Sequence, residues 1–341
     1  MDLWQLQQLQ GLPLEAKIKK TQLRIKEWYE YYDGNVYVAR SGGKDSDVLG
    51  HIVNNIYPDI PNIFINTGLE YDAVREHGIE VSTKTIFPSM SFVQVLKNYG
   101  YPVISKEVAK TVCEARTSKG TGKYTYSLKK LEGTAIDKKT GKLSQYNIPQ
   151  YKYLLDAPFR ISHKCCDAMK KNPAIKYENE TGNHPFIGTM ASESRLRKEK
   201  WLKNGCNAFE LGRPTSQPLS FWTEQDILHY ISKFDVVISS AYGGLVYQDK
   251  DGMQYEEKFF VPSMNLTTTL CKRTGCIFCM FGIRQNTDRF LNLKHMEPEK
   301  YDYVMRGGKF DEHGMWIPYR GLGYKFLIDW LNEHGNLEIL Y

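Results

Sequence analysis

No apolar run in this chain approaches the roughly 20 residues that a membrane-spanning helix requires. A bilayer is therefore not an expected partner. The first residues, Met1-Asp2-Leu3-Trp4-Gln5, lack a basic stretch followed by an apolar one. No secretory signal is expected, and the cytoplasm is the expected compartment. No segment repeats. The GxxxxGK[ST] spacing of a Walker A loop is missing. No cysteine follows Cys279.

What remains is a 341-residue chain, 41% hydrophobic and 25% charged. That is enough for one large or two ordinary domains with a buried core. The net charge is +6, and its placement matters more than its size. Residues 106–143 carry ten Lys/Arg against four Asp/Glu, an excess equal to that of the whole chain. The turn-rich stretches 117–123 and 137–142 lie inside it. This basic segment reads either as a solvated loop or as a contact for nucleic acid or polyphosphate.

The pattern predicts a helix from Leu14 to Tyr32, with Ile18, Leu23, Ile25 and Trp28 on one side. Asp33-Gly34-Asn35 ends it. A strand, Val36 to Ala39, leads into Ser41-Gly42-Gly43-Lys44-Asp45-Ser46, and a helix follows from Asp47 to Ile56. A second strand, Asn62 to Asn66, ends at Thr67-Gly68-Leu69-Glu70. Then come a helix near Tyr71–His77, a strand near Glu80–Thr85 and a helix at Ser91–Tyr99. This alternation predicts a parallel sheet covered by helices, with ligands at the carboxyl ends of its strands. Further on, helices are expected at 165–171, 192–203, 223–232 and 324–333, a strand at 185–188, and a hairpin from Tyr242 to Phe260 turning at 249–252.

A strand, a glycine turn and a helix start make a phosphate cradle. The glycines expose backbone N–H groups, and the helix end adds partial positive charge. Ser41–Ser46 resembles the SGGxDS pyrophosphate (PP) loop of the adenine nucleotide α-hydrolase superfamily. That superfamily includes the N-type ATP pyrophosphatases and the PAPS/APS reductases. The resemblance implies ATP or an adenosine phosphosulfate as ligand, handled at its α-phosphate. It assigns Ser41, Gly42, Gly43, Lys44, Asp45 and Ser46 to the nucleotide. Lys44 would neutralise charge and Asp45 would help position Mg²⁺.

Cysteines cluster. Cys165 and Cys166 are adjacent, Cys276 and Cys279 form a CxxC, and Cys271 precedes them; Cys113 and Cys206 stand alone. In a reducing compartment such a set suits metal or redox chemistry better than disulfides. His163 to Pro173 resembles the K-x-C-C-x-x-x-K-x-x-P element of the iron–sulfur APS reductases, displaced by one place. That likeness implies a [4Fe–4S] cluster on Cys165, Cys166, Cys276 and Cys279. Related phage and DNA-phosphorothioation proteins resemble the chain in carrying an extra cysteine, which gives Cys166, Cys271, Cys276 and Cys279 as the rival set. Zinc and free redox thiols are the other readings of these spacings.

Asn66-Thr67-Gly68 resembles the family's DTG element, with Asn66 in place of the acid. Gly188 to Arg197 resembles its G-x-R-x-x-[EQ]-S-x-x-R segment. Gly188, Glu193, Ser194 and Arg197 agree, whereas Met190 stands where an arginine is usual. Arg195 could supply charge. Gly100 to Lys106 resembles the entry to the substrate region, where Lys106 could reach a phosphate. The family's reductases attack sulfur with a cysteine in a terminal E-C-G-x-H tail, and the tail here, residues 333–341, has none.

The expected fold is thus an α/β PP-loop parallel sheet flanked by helices, with a mostly helical cysteine-bearing C-terminal region. Expected divisions are a helical segment 1–34, a nucleotide domain 35–235 and a region 236–341. The expected reaction is adenylylation with pyrophosphate release, in sulfur transfer or nucleic-acid modification. A sulfur-donor protein and a homo-oligomeric assembly are expected partners. Two alternatives stand beside it: a sulfonucleotide reductase using Cys113 or Cys206, and a non-catalytic nucleic-acid-binding or assembly protein on the same fold.

Overall fold

Alternation in Val36-Tyr37-Val38-Ala39 sends Val36 and Val38 to one face and Tyr37 to the other. In the computed structural model this stretch is a central strand, β1 (Val36–Arg40), and those faces pack into two different apolar clusters. The structure describes residues 2–256, 264–285 and 287–341. They form two compact units, each built from two chain segments: Met1–Phe87 with Pro173–Gly275, and Pro88–Asn172 with Cys276–Tyr341. These divisions cut the chain at places other than 34/35 and 235/236.

The first unit holds a mixed, mostly parallel six-stranded sheet in the order β3-β2-β1-β5-β7-β6. Beside β1 lie β2 (Asn62–Ile65), β3 (Lys84–Ile86), β5 (His184–Ile187), β6 (Asn207–Ala208) and β7 (Thr215–Ser216). All neighbouring pairs are parallel except β6 with β7. The helices are α1 (Leu3–Gln10), α2 (Leu14–Tyr31), α3 (Lys44–Ile56), α4 (Asp72–Glu80), α8 (Asn172–Thr181), α9 (Arg195–Asn204) and α10 (Glu224–Phe234). Thr223 caps α10 by accepting from Asp226 N–H.

The main core joins Ile25 and Trp28 of α2, Val48, Leu49, Ile52 and Val53 of α3, and Phe186 of β5. Leu23 departs from expectation: it is 61% exposed, while Lys17, Thr21, Ile25 and Trp28 form the buried stripe. Two places from Ile25 is about 200° around a helix, so Leu23 faces away. Lys17 is buried because its ammonium pairs with Asp226 at 2.6 Å. A smaller antiparallel sheet, β10-β8-β9, completes the unit with β8 (Leu245–Gln248), β9 (Gln254–Glu256) and β10 (Asn265–Thr268). The expected hairpin is β8–β9; its expected end at Phe260 lies outside the described residues.

The second unit contains α5 (Phe92–Tyr99), β4 (Val103–Ile104), α6 (Lys106–Gly120), α7 (Tyr126–Glu132), β11 (Met280–Phe281), α11 (Arg289–Met296), α12 (Pro298–Met305), β12 (Lys309–Phe310), β13 (Trp316–Ile317) and α13 (Tyr324–Gly335). The basic segment is not a loop. Two helices take up much of it, with Ser105 capping α6. Parallel pairing of β4 with β11 ties its two chain segments together. No described helix is long and apolar enough to cross a membrane.

Candidate functional site

Three expected elements come together at the carboxyl edge of the main sheet. Ser41 follows β1, Asn66 follows its neighbour β2, and Gly188 follows its other neighbour β5. Gly42 has φ +68°, and a Cβ there would lie 2.3 Å from the Val74 carbonyl oxygen. Only glycine fits both the dihedral and the space. The helix begins at Lys44, earlier than expected, so half of the loop's residues are its first turn.

Both serine side chains of the loop are bound to the loop. Ser46 Oγ donates to the Gly43 carbonyl at 2.7 Å and accepts from Ser41 N–H at 3.1 Å. Ser41 Oγ accepts from Gly43 N–H at 3.3 Å. Below them, Arg40 donates to the Ser46 carbonyl at 2.8 Å and pairs with Asp47 at 3.3 Å, and Asp47 meets His77 at 3.0 Å. Gly188 packs against this turn: a Cβ there would come within 2.8 Å of the Asp45 carbonyl oxygen. Its role here is close backbone approach.

Lys44 is 2% exposed. Its ammonium is 2.8 Å from Glu224 Oε1 and 3.0 Å from the Lys272 carbonyl. Burial would lower its pKa, but Asp45, Tyr242 and Glu224 more than offset this, so it stays above the usual lysine range. Its backbone N–H donates to the Tyr242 hydroxyl at 3.2 Å, which also lies 2.7 Å from Thr274 Oγ1. The protein's own side chains thus occupy this lysine.

Asp45 differs. Its Oδ1 is buried and accepts no hydrogen bond among the described residues, its one ion pair there being with the Lys44 ammonium at 3.8 Å, although the side chain as a whole is 25% exposed. Burial pushes its carboxyl pKa up, opposed by Lys44, Arg273 and Arg197 and assisted by Glu224. A carboxylate held above its unfolded pKa binds its proton more tightly when folded. Its stabilising contribution is present below about pH 4, the unfolded value, and is lost as pH rises through the folded one. Asp45→Asn removes that loss. We expect the variant to be more stable than wild type by about 1 kcal/mol at pH 7, with the gap closing near pH 4; urea melts at both pH values measure it.

Arg197 and Arg273 share one carboxylate. Glu193 accepts from Arg197, from Arg273 at 3.1 Å and from Met190 N–H at 2.8 Å. Ser194 caps α9 by accepting from Arg197 N–H. Arg195 pairs instead with Glu199 at 2.8 Å. Met190 is 1% exposed within the main core, where a guanidinium would be desolvated without a partner. That accounts for a methionine at this position. Asn66 Oδ1 accepts from Gly68 N–H at 3.1 Å, and Thr67 Oγ1 donates to Glu70 at 2.6 Å. Those side chains close the turn.

Glu224, Tyr242, Arg273 and Thr274 were not picked out as site residues from the sequence. Arg273 and Thr274 lie inside the cysteine spacing, where the thiols draw all the notice. Glu224 reads as a first-turn acid and Tyr242 as a strand residue.

The thiols divide between the units. Cys271 belongs to the first, where it interacts with Tyr71 and its N–H donates to the Ala241 carbonyl at 3.2 Å. Cys165, Cys166, Cys276 and Cys279 all belong to the second. Cys165 Sγ lies 3.9 Å from Cys166 Sγ. That contact raises the Cys165 pKa, as do burial and the charges of Cys166, Cys279 and Cys276. The same contact lowers that of Cys166, helped by Lys106 and Lys170. Burial, then Cys276, pushes Cys279 up to about 12. The Cys279 sulfur accepts from Phe281 N–H at 3.4 Å, and the turn is closed by Cys279 N–H to the Cys276 carbonyl at 3.0 Å.

Four sulfur donors in one unit, with Cys165 and Cys279 held protonated by burial and by neighbouring thiols, suit a cation that neutralises them. Among the described residues no three His, Cys, Asp or Glu side chains stand in metal-holding geometry. The donor set fits by its chemistry, four thiols of which Cys165 and Cys166 are in contact. Lys106 pairs with Asp167 at 3.2 Å, beside this set. Cys113 and Cys206 are pushed up, chiefly by burial, and so are poor nucleophiles.

No protein-family model matches the chain. It is similar to the uncharacterized protein MJ0973 of Methanocaldococcus jannaschii, with 29% identity over 109 residues, which are 30% of this chain and 26% of that protein. The chain thus spans about a quarter of that relative's length.

Proposed function

We propose that the first unit is a PP-loop nucleotide site that binds ATP and directs attack on its α-phosphate. The acceptor atom forms a bond to the α-phosphorus, the bond to the bridging oxygen breaks, and pyrophosphate leaves with that electron pair. The observation that carries this reading is Asp45: a buried carboxylate oxygen at the start of α3 that accepts no hydrogen bond among the described residues and faces the Lys44 ammonium at 3.8 Å, with Arg197 and Arg273 also acting on the carboxylate. Such an oxygen suits a hard divalent cation such as Mg²⁺. Bound there, Mg²⁺ would offset phosphate charge.

The chain's own residues do the rest. Gly42 and Gly43 let the backbone approach the phosphates closely, and the start of α3 favours negative charge. Ser41 and Ser46 hold the turn in shape. Arg273 and Arg197 are partly spent on Glu193, so a pyrophosphate would compete with that carboxylate for bidentate guanidinium contacts. Lys44 must leave Glu224 to reach a phosphate. Catalysis would rest on alignment and charge stabilisation.

In the second unit, Cys165, Cys166, Cys276 and Cys279 would hold a [4Fe–4S] cluster, with zinc as the alternative. Either would supply a structural clamp, and the cluster a redox centre as well. Burial pushes the Cys113 and Cys206 thiols up, which suits neither to the nucleophile of a sulfonucleotide reductase.

The test is product identity. Purified protein with Mg²⁺–ATP should bind nucleotide and release pyrophosphate, not ADP. Ser46→Ala should lower the rate about 10²–10³-fold, as loss of an aligned polar group does in other sites, and α,β-methylene ATP should bind without turnover. Release of ADP and phosphate, or no ATP binding by calorimetry, would overturn the proposal.

A further inference from the structure

The basic segment of the second unit is not absorbed by the nucleotide site. Its four acids are all engaged locally. Glu107 pairs with Lys130 at 3.2 Å. Glu114 accepts from Ser127 Oγ at 2.6 Å and lies 3.8 Å from Lys110. Glu132 accepts from the Tyr124 hydroxyl. Asp137 accepts the N–H groups of Lys139 and Thr140 at 2.8 and 3.0 Å, closing a turn. Arg116 is spent on the carbonyls of Leu154, Ala157 and Phe159.

Lys129 lies over the Tyr124 ring, 5.4 Å from its centroid, which leaves Lys119, Lys123, Lys138, Lys139 and Lys142. All five are exposed, and none has an ion pair among the described residues. They sit in two neighbouring places. Lys119 and Lys123 are at the end of α6 and its following turn. The other three are on a small hairpin closed by the Ile136–Leu143 bridge. Tyr124 Oη lies 3.5 Å from Thr134 Oγ1, which brings the turn to the base of the hairpin. Two tyrosines of the same segment are exposed: Tyr124 is 55% exposed, with Lys129 over one face, and Tyr126 48%.

We propose that this face binds single-stranded nucleic acid. Uncompensated lysines track a phosphate backbone, and exposed tyrosines stack on unpaired bases. Lysines are point charges without the fork that reads base edges, so binding should tolerate any sequence. A duplex hides its base faces and should bind less tightly. None of these residues belongs to the nucleotide site, so failure here leaves that reading untouched.

The test uses the full chain and fluorescent oligothymidylate, followed by anisotropy. With five contacts, log K should fall with log salt at a slope of about −3.5, roughly a hundredfold between 50 and 200 mM salt. Changing Lys138, Lys139 and Lys142 together to Ala should flatten the slope by about 2. Tyr126→Ala should weaken binding about tenfold without changing the slope. Duplex DNA and phosphatidylserine vesicles serve as competitors. An unchanged slope in the lysine variant, no binding at 50 mM salt, tighter duplex than single-strand binding, or full displacement by the vesicles would each overturn the proposal.

Discussion

Gly42→Ala will destabilise the first unit by about 2–4 kcal/mol, the sum of a left-handed backbone penalty and an overpacked contact. Both causes are visible. Gly42 has φ +68°, and its added Cβ would lie 2.3 Å from a backbone oxygen of α4 and 2.9 Å from Val74 Cγ1. A carbonyl inside a helix cannot move aside as a long side chain can. Two controls separate the terms. Gly68→Ala has nearly the same dihedral, +69°, but its Cβ meets nothing within 4 Å, so it should cost only about 1 kcal/mol. Gly188→Ala has no strained dihedral but meets the Asp45 carbonyl oxygen at 2.8 Å, so it should cost the contact term alone. Urea melts of the three variants test the order. Equal midpoints for Gly42→Ala and Gly68→Ala would show that the contact with α4 is relieved cheaply.

The same glycine explains why this part of the fold was legible in the sequence. A strand with clean alternation, two glycines and a helix of apolar periodicity are local signals, and β1, the loop and α3 follow from them directly. The strands expected at 62–66 and 185–188 are present as β2 and β5, each ending one residue earlier. Contacts between distant segments were not legible. β6 and β7 are two residues each and carry no alternation to read. β4 pairs with β11 across 176 intervening positions by number, Val103 to Met280, and this pairing places the 276–341 segment in the second unit. Nothing near either strand announces it.

Site chemistry divides in the same way. Ser41–Ser46 lie together because they are consecutive, whereas Tyr242 reaches the loop from 198 positions away and Lys272 from 228. Met190 reads as a missing arginine in the sequence and as a core side chain in the structure. The charge excess of 106–143 was correctly located, but its helices were not, because lysine-rich turns mask the periodicity that buries Val108, Val112 and Ala115. Burial also separates charges that composition counts alike: Arg116 is committed to carbonyls, while Lys138 and Lys139 are exposed.

The largest effect is expected at the thiols. Protein prepared without oxygen should be brown and contain iron and sulfide. Serine in place of Cys165, Cys166, Cys276 or Cys279 should each remove most of the metal. Cys271→Ser should leave it in place, because the Cys271 thiol interacts with Tyr71 and its N–H is held by the Ala241 carbonyl. The reason for so large an effect is electrostatic. As bare thiols, Cys165 and Cys279 resist ionisation, because burial and the charges of neighbouring thiols oppose it. A bound cation removes that opposition and ties Cys165–Cys166, which precede a π-turn at Asp167–Lys171, to the CxxC that precedes β11. Metal release should therefore loosen the only described strand pairing that joins the two segments of the second unit outside β-bridges. A loss of even about 4 kcal/mol would lower Tm by about 8–16 °C in a unit of this size. Chelator-treated protein and the Cys279→Ser variant should show the same drop, and Cys113→Ser none. A colourless protein with one zinc would replace the cluster while keeping the four ligands. Metal lost in Cys271→Ser but kept in Cys165→Ser would overturn the ligand set itself.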